Sequence, residues 1–281
     1  MSTSPIHPQH VTVDGLSIRY AESENRGPDA LLLSPWPESV YAFEPSWAAL
    51  AENHHLIAVD LPGFGLSESR PELFAPRAAG AFVLRIMDAL GVDRVHVVGP
   101  DIGTSAVLFA ASDSPERFHS AVIGTGAATV PLEIGEPITT WVNATDLSEY
   151  EHNANQVMTG VIAEIHPASP LPDHIREDYL ASYGGRRFAD SMGYVRSYPT
   201  ELAALAEVLG GVRTPVRIVT GAKDTAIPPS NAEYLHRRLP HSSLEIVDSG
   251  HFIWEQDPAT YASLVLDWWQ QTGPSPAQTR E

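Results

Sequence analysis

Strand-like and helix-like patterns alternate along most of the 281-residue chain. Short apolar runs at 30–33, 55–59 and 94–98 each end in a turn, and residues 78–90 carry apolar side chains at helical spacing. The alternation resumes between 216 and 271. Strands that alternate with helices predict the α/β class, with a mostly parallel central sheet and helices on both of its faces.

The pattern changes in the middle of the chain. Residues 128–200 have weak strand signal, many charges and several aromatic side chains. We therefore predict a core formed by 1–127 and 201–272, with 128–200 inserted as a helical cap over the carboxyl edge of the sheet, where α/β proteins place their sites. The Pro- and Ser-rich residues 273–281 are expected to form a loose tail.

Composition narrows the classes of function. The chain has no cysteine, which excludes disulfides, thiolate catalysis and Cys-ligated metal. Its formal charge of −18 disfavours nucleic acid and anionic membrane surfaces. No apolar run approaches the about 18 residues of a membrane span, and the first ten residues do not have the pattern of a signal peptide. We expect a cytoplasmic protein that binds a small molecule, with a homodimer left open.

The most informative segment is 97–105, where a strand runs into a Gly-x-Asp-x-Gly turn and a helix begins. Gly99 and Gly103 permit a tight turn, and Asp101 between them is raised at the helix N-terminus, where backbone N–H groups favour negative charge. This pattern is typical of a nucleophile elbow, with Asp where esterases carry Ser. The alternative is an Asp that only caps the helix.

Two later motifs, each after a predicted strand, contain the other two candidate catalytic residues. Asp224 ends the run Gly-Ala-Lys-Asp, and His251 lies in the run Ser-Gly-His-Phe. Asp101, Asp224 and His251 then follow the nucleophile, acid and histidine order of α/β-hydrolases. For Asp224 a turn-forming role is the alternative, and Asp248 is a rival acid.

With these motifs and the Asp-Leu-Pro-Gly-Phe-Gly-Leu-Ser turn at 60–67, the chain resembles the α/β-hydrolase superfamily from about Val11 to Gln271. The Asp at the elbow, with Trp36-Pro37 after an early strand, is similar to the epoxide hydrolase and haloalkane dehalogenase branch. The resemblance implies an oxyanion hole at the backbone N–H groups of Trp36 and Ile102. It also implies an acid from the cap, for which Tyr150, Tyr194 and Tyr198 are the candidates, and Trp141 is a candidate pocket wall.

A carboxylate nucleophile indicates displacement at a saturated carbon. Ser would form an ether there, whereas Asp101 would form an ester that water can hydrolyse. His251 would activate that water, and Asp224 would orient the imidazole. We expect an epoxide hydrolase-like enzyme that needs no cofactor. The alternatives are a haloalkane dehalogenase, an esterase, lactonase or lyase of the same fold, and a ligand-binding protein without turnover.

The chain departs from the branch at three places. Ser34-Pro35 stands where relatives have His-Gly, Ile102 stands where dehalogenases have Trp, and Val195 rather than Tyr precedes Arg196. No histidine other than His251 belongs to a motif, and no metal-ligand spacing or dinucleotide fingerprint is present, so neither a metal nor a nucleotide cofactor is expected.

Overall fold

The computed structural model describes residues 5–24, 27–166 and 171–273. Its sheet contains eight strands. These are β1 (Gln9–Val13), β2 (Leu16–Glu22), β3 (Asp29–Leu33), β4 (His55–Val59), β5 (Val95–Pro100), β6 (Phe118–Gly124), β7 (Val216–Gly221) and β8 (Ser242–Val247). The predicted tail lies almost wholly outside the described residues.

The strand order is β1-β2-β4-β3-β5-β6-β7-β8. β1 and β2 form an antiparallel hairpin, β2 runs antiparallel to β4, and all later neighbours are parallel. Asp14 and Gly15 both have positive φ in the hairpin turn, as a two-residue turn of this kind requires. The mostly parallel sheet of the α/β class is confirmed.

Six helices belong to the parts of the chain that surround the sheet. They are α1 (Glu44–Ala51), α2 (Pro76–Ala89), α3 (Ile102–Asp113), α10 (Ser230–Arg238), α11 (Ile253–Gln256) and α12 (Pro258–Thr272), of which α2 packs on α3 and α1 packs on α12. The strands β5 and β7 are buried throughout, as expected for the centre of a parallel sheet, and their burial includes the polar side chains of His96 and Arg217.

Between β6 and β7 the structure places six further helices and no strand among the described residues. They are α4 (Ile138–Asn143), α5 (Ser148–His152), α6 (Ala154–Ile165), α7 (Asp173–Ser182), α8 (Arg187–Arg196) and α9 (Tyr198–Val208). We call 128–200 the cap segment. The division into core and cap domains stays a prediction, although the helical character of this segment agrees with it.

The cap segment is joined to the core by buried charge. The guanidinium of Arg19 in β2 donates to the carboxylate of Asp60, which follows β4, and to both oxygens of Asp178 in α7, at 2.6 and 3.1 Å. Ser39 donates to the same Asp178 at 2.6 Å. Burial alone would lower the pKa of Arg19, but the carboxylates of Asp60 and Asp178 outweigh this effect and raise the pKa. These contacts fix α7 on the carboxyl edge of the sheet.

Candidate active site

Asp101 occupies the sharp turn between β5 and α3. Its backbone has φ 51° and ψ −120°, a left-handed conformation that is uncommon for any residue other than Gly. A Cβ atom on Gly99 would lie 2.6 Å from Cγ2 of Val107, so only glycine fits there. The Asp101 side chain makes no capping hydrogen bond to α3. The strained turn therefore presents the carboxylate at the sheet edge and does not use it as a helix cap.

The Asp101 carboxylate lies against backbone donors. The N–H of Trp36, in the loop after β3, donates to Oδ2 of Asp101 at 2.8 Å, and the backbone amide of Ile102 also lowers the pKa of this carboxyl. Ser34, before Pro35, holds this loop, because it donates its hydroxyl to Asp60 at 2.7 Å and its N–H to the Val59 carbonyl at 3.0 Å. The two amides for which the resemblance implies an oxyanion hole thus both act on the Asp101 carboxylate.

His251 lies between two carboxylates. Its Nδ1 is 2.8 Å from Oδ2 of Asp224, and its Nε2 is 3.8 Å from Oδ1 of Asp101. The other oxygen of Asp224 accepts from the N–H groups of Ala226 and Ile227 at 3.0 and 2.8 Å. Both carboxylate oxygens of Asp224 are therefore engaged, one by backbone N–H groups of its own loop and the other by the imidazole. The rival Asp248 instead pairs with Lys223 at the surface, at 2.8 Å.

Asp101 and His251 line a small cavity of about 30 Å³, and Asp224 lies behind the imidazole. Its walls are mainly apolar and aromatic, and Trp36 meets Trp141 edge to face with ring centroids 5.0 Å apart. The lining residues are Trp36, Pro37, Asp101, Pro137, Ile138, Trp141, Val161, Glu164, Ala226, His251 and Phe252. A buried carboxylate, an imidazole and two amides facing an apolar cavity can form and break an ester.

Residues 31–258 match the family model described as "alpha/beta hydrolase fold". The chain belongs to the α/β-hydrolase family.

Relatives of this α/β-hydrolase bear several names. It is 26% identical over 277 residues to "Uncharacterized hydrolase YugF" of Bacillus subtilis, which covers 95% of this chain and 98% of that protein. It is 28% identical over 236 residues to "Putative carbamate hydrolase RutD" of a Caulobacter species, covering 79% and 83%. The crystal structure of epoxide hydrolase VrEH1 from Vigna radiata superposes with a TM-score of 0.81 at 18% identity, covering 96% of this chain and all of that one. At that identity the likeness shows the fold.

The electrostatics of the α/β-hydrolase site favour a charged pair at rest. Burial lowers the pKa of His251, but the carboxylates of Asp224 and Asp101 outweigh it and raise this pKa to about 9. Burial raises the pKa of Asp101, while His251 and the Trp36 and Ile102 amides oppose that change. At neutral pH the imidazole is therefore a cation held between two carboxylates.

The three candidate tyrosines make their contacts outside the lining of the cavity. The hydroxyl of Tyr194 donates to the Ile102 carbonyl at 2.8 Å and lies 3.1 Å from the hydroxyl of Ser105. The ring of Tyr198 packs on that of Tyr194, and Tyr150 packs on Phe188. None of the three lines the cavity. Besides burial, the charge of Asp101 nevertheless helps to raise the pKa of Tyr194 and of Tyr198. The acid from the cap segment stays a prediction, whereas Trp141 forms part of the cavity wall.

Two buried glutamates near the site were missed by sequence reasoning. Glu38 accepts from Nε1 of Trp254 at 3.0 Å, and Glu255 accepts from the hydroxyl of Tyr179 at 2.9 Å. Burial first, and then the neighbouring Glu255 carboxylate, raise the pKa of Glu38 well above its usual range. In the sequence, only their positions could have indicated that these glutamates lie near the site, because Glu38 follows the Trp36 loop and Glu255 follows the His251 motif.

Metal binding has no structural support within the described ranges. Those residues contain no group of three or more His, Asp or Glu side chains arranged to hold an ion. No helix in the same ranges is long and apolar enough to cross a bilayer.

Proposed function

We propose that this α/β-hydrolase cleaves a small alkyl electrophile through a covalent ester on Asp101. The observation that supports the proposal is that the two oxygens of this carboxylate have different contacts. Oδ2 is held by the Trp36 amide at 2.8 Å, while Oδ1 faces His251 at 3.8 Å. One oxygen is thus free to attack while the other stays in an oxyanion hole.

In the first step, Oδ1 of Asp101 attacks a saturated carbon of the substrate. The new carbon–oxygen bond forms as the bond to the leaving group breaks, and the leaving group departs with the bonding electron pair. The apolar walls of the cavity exclude water that would otherwise solvate and weaken the carboxylate. The product of this step is an alkyl ester of Asp101, together with a free halide ion or, from an epoxide, an alkoxide that takes a proton from water.

In the second step, His251 removes a proton from water and the resulting hydroxide oxygen attacks the Asp101 carboxyl carbon. Negative charge develops on Oδ2, where the Trp36 amide stabilises it, and the Ile102 amide also acts on this carboxyl group; one such donor is typically worth about 3 kcal/mol. The tetrahedral intermediate collapses and expels the alcohol, which takes the proton from His251. Asp101 is restored with one oxygen from water.

Formation of the ester also prepares His251 for this role. The Asp101 carboxylate is one of the charges that raise the pKa of His251. Esterification removes that charge, so the pKa of the imidazole falls and the imidazolium can release its proton to solvent water. The base is therefore generated after the first step, when it is needed.

Epoxides are the first substrate class we propose, in keeping with the resemblance to the epoxide hydrolase branch. A second candidate is favoured by the placement of the tyrosines. The Tyr194 hydroxyl is engaged with Ile102, and no tyrosine lines the cavity. A halide leaves as a stable anion and needs no proton donor, so a small alkyl halide suits this cavity as well.

The decisive experiment is intact-mass screening of His251→Ala against epoxides, haloalkanes and esters. The variant keeps the nucleophile and loses the base, so the alkyl ester should accumulate and its mass should name the substrate class. His251→Ala combined with Asp101→Asn is the matched control and should show no adduct. A single turnover of the wild type in ¹⁸O-water should leave label in Asp101. An adduct on another residue, or label only in the product, would overturn the proposal.

A further inference from the structure

The cavity beside Asp101 is lined by two acidic side chains, and His251 is its one basic lining residue among the described residues. Its ionisable lining residues are Asp101, His251 and Glu164, and among the described residues no Lys or Arg reaches it. The catalytic groups comprise two acidic side chains, Asp101 and Asp224, and one imidazole, so acidic groups already outnumber basic ones by one. Glu164 adds another acidic group at the cavity wall.

Glu164 lies on α6, at the side of the cavity opposite the sheet. Its side chain is exposed, and within the described residues no Lys, Arg or His forms an ion pair with it. Its charge nevertheless acts on the site, because it is one of the carboxylates that raise the pKa of His251. The negative charge of this carboxylate therefore adds to the electrostatic potential at a substrate bound in the cavity.

Aromatic rings form the other part of the wall. Trp36 and Trp141 meet edge to face at 5.0 Å, and both line the cavity with Glu164. Indole faces attract cations, by roughly twofold to fivefold in affinity at accessible sites. An anion in the same position would lose its water and face like charges without a donor to replace that water.

We propose that Glu164, together with the indoles of Trp36 and Trp141, makes this site selective for small substrates that carry an ammonium group and makes it reject carboxylate-bearing ones. Glu164 is the specificity-determining residue in this arrangement. The inference rests on the proposed function, since it concerns which alkyl electrophile reaches Asp101. Neutral substrates of the same shape are expected to fall between the two charged classes.

Binding is tested with ligands that have no leaving group, so that the outcome does not depend on covalent chemistry. The probes are propylammonium, 1-propanol and propionate, followed by tryptophan fluorescence and by the NMR signals of the His251 ring. Wild type should bind propylammonium most tightly and propionate most weakly. Glu164→Gln should narrow the ratio of these two dissociation constants on the order of fivefold, the size expected for an accessible charge.

The matched control is Glu207→Gln, which removes an exposed glutamate of α9 that does not line the cavity. It should leave the ratio at its wild-type value. Equal or tighter binding of propionate by wild type, no binding of propylammonium, or an unchanged ratio in Glu164→Gln would overturn the inference.

Turnover of 3-bromopropylammonium, 3-bromo-1-propanol and 3-bromopropionate then separates the two proposals. The same order in kcat/KM, narrowed in Glu164→Gln, supports both. If the binding order holds while none of the three alkylates Asp101, and epoxides do not either, the covalent function fails and the charge selectivity stands. If alkylation occurs with no preference by charge, the selectivity fails and the covalent function stands.

Discussion

Nε2 of His251 lies 3.8 Å from Oδ1 of Asp101, which is too long for a hydrogen bond and close enough for strong mutual attraction. The opposite ring nitrogen is fixed by Asp224 at 2.8 Å. The imidazole is thus held on one side and open on the other. Water that approaches the Asp101 carboxyl carbon would pass through this gap, so the spacing matches a base that acts on water and not on the nucleophile itself.

The first prediction concerns the charge of His251. Asp101→Asn removes one of the carboxylates that raise its pKa to about 9, and Asp224→Asn removes the larger contributor. We expect the pKa to fall by at least about one unit in Asp101→Asn and further in Asp224→Asn. An NMR pH titration of the imidazole measures both. An unchanged pKa in Asp101→Asn would contradict the idea that ester formation releases the base.

The second prediction concerns Tyr194. Tyr194→Phe removes a hydroxyl that bonds the Ile102 carbonyl and lies away from the cavity. We expect a loss of about 1 kcal/mol of unfolding free energy and little change in the rate of Asp101 alkylation. A hydroxyl that acted as the acid would instead contribute roughly 10²–10⁴-fold to that rate. Urea unfolding and single-turnover mass measurements separate the two.

Tyr261→Phe is the matched control for the Tyr194 variant. Its hydroxyl is also buried, but it has no hydrogen-bond partner. Removal of this group should therefore leave the unfolding free energy unchanged or slightly raised. A fall in alkylation rate of a hundredfold in Tyr194→Phe alone would show that the hydroxyl reaches the substrate after all.

Local patterns in the sequence were sufficient to predict the elbow. Gly99 and Gly103 around Asp101 encode a turn whose geometry depends on neighbours within a few residues. The alternation of strands and helices likewise reflects local burial, and it predicted the α/β class. Asp224 and His251 could be placed because each directly follows a strand of a parallel sheet, and the carboxyl ends of such strands share one edge.

The cap side of the site could not be predicted in this way. Whether the Tyr194 hydroxyl points to Ile102 or into the cavity depends on the rotation of α8 against α3, which no local pattern records. The same holds for Glu164, whose place in the wall depends on how α6 lies over the sheet edge. In the core, the role of Ser34 could not be predicted either, because its hydrogen bond to Asp60 joins two loops that are far apart in sequence.

The third prediction concerns the ionic link between core and cap segment. Asp178→Asn leaves the buried Arg19 guanidinium with Asp60 as its remaining charged partner. We expect a loss of about 1–3 kcal/mol in unfolding free energy, because a buried charge loses part of its compensation. Urea unfolding measures the change.

The control for that link is Asp190→Asn. Asp190 pairs with Arg186, but both side chains are largely exposed, at 47% and 69%. Such pairs contribute little, so this variant should stay within about 0.5 kcal/mol of wild type. Equal losses in Asp178→Asn and Asp190→Asn would show that the buried network does not anchor α7.

The fourth prediction concerns stability in acid. Burial first, and then the nearby His119, His54 and Arg94, lower the pKa of His96 to about 3. Between pH 6.5 and 3 the unfolded chain binds a proton at this residue that the folded chain does not, so stability falls as pH falls, by up to about 1.4 kcal/mol per pH unit. His96→Asn should reduce that slope, although it lowers stability at neutral pH. The exposed His10 serves as control, and His10→Asn should keep the wild-type slope. Urea unfolding at a series of pH values measures all three proteins, and equal slopes in wild type and His96→Asn would rule out His96 as the source.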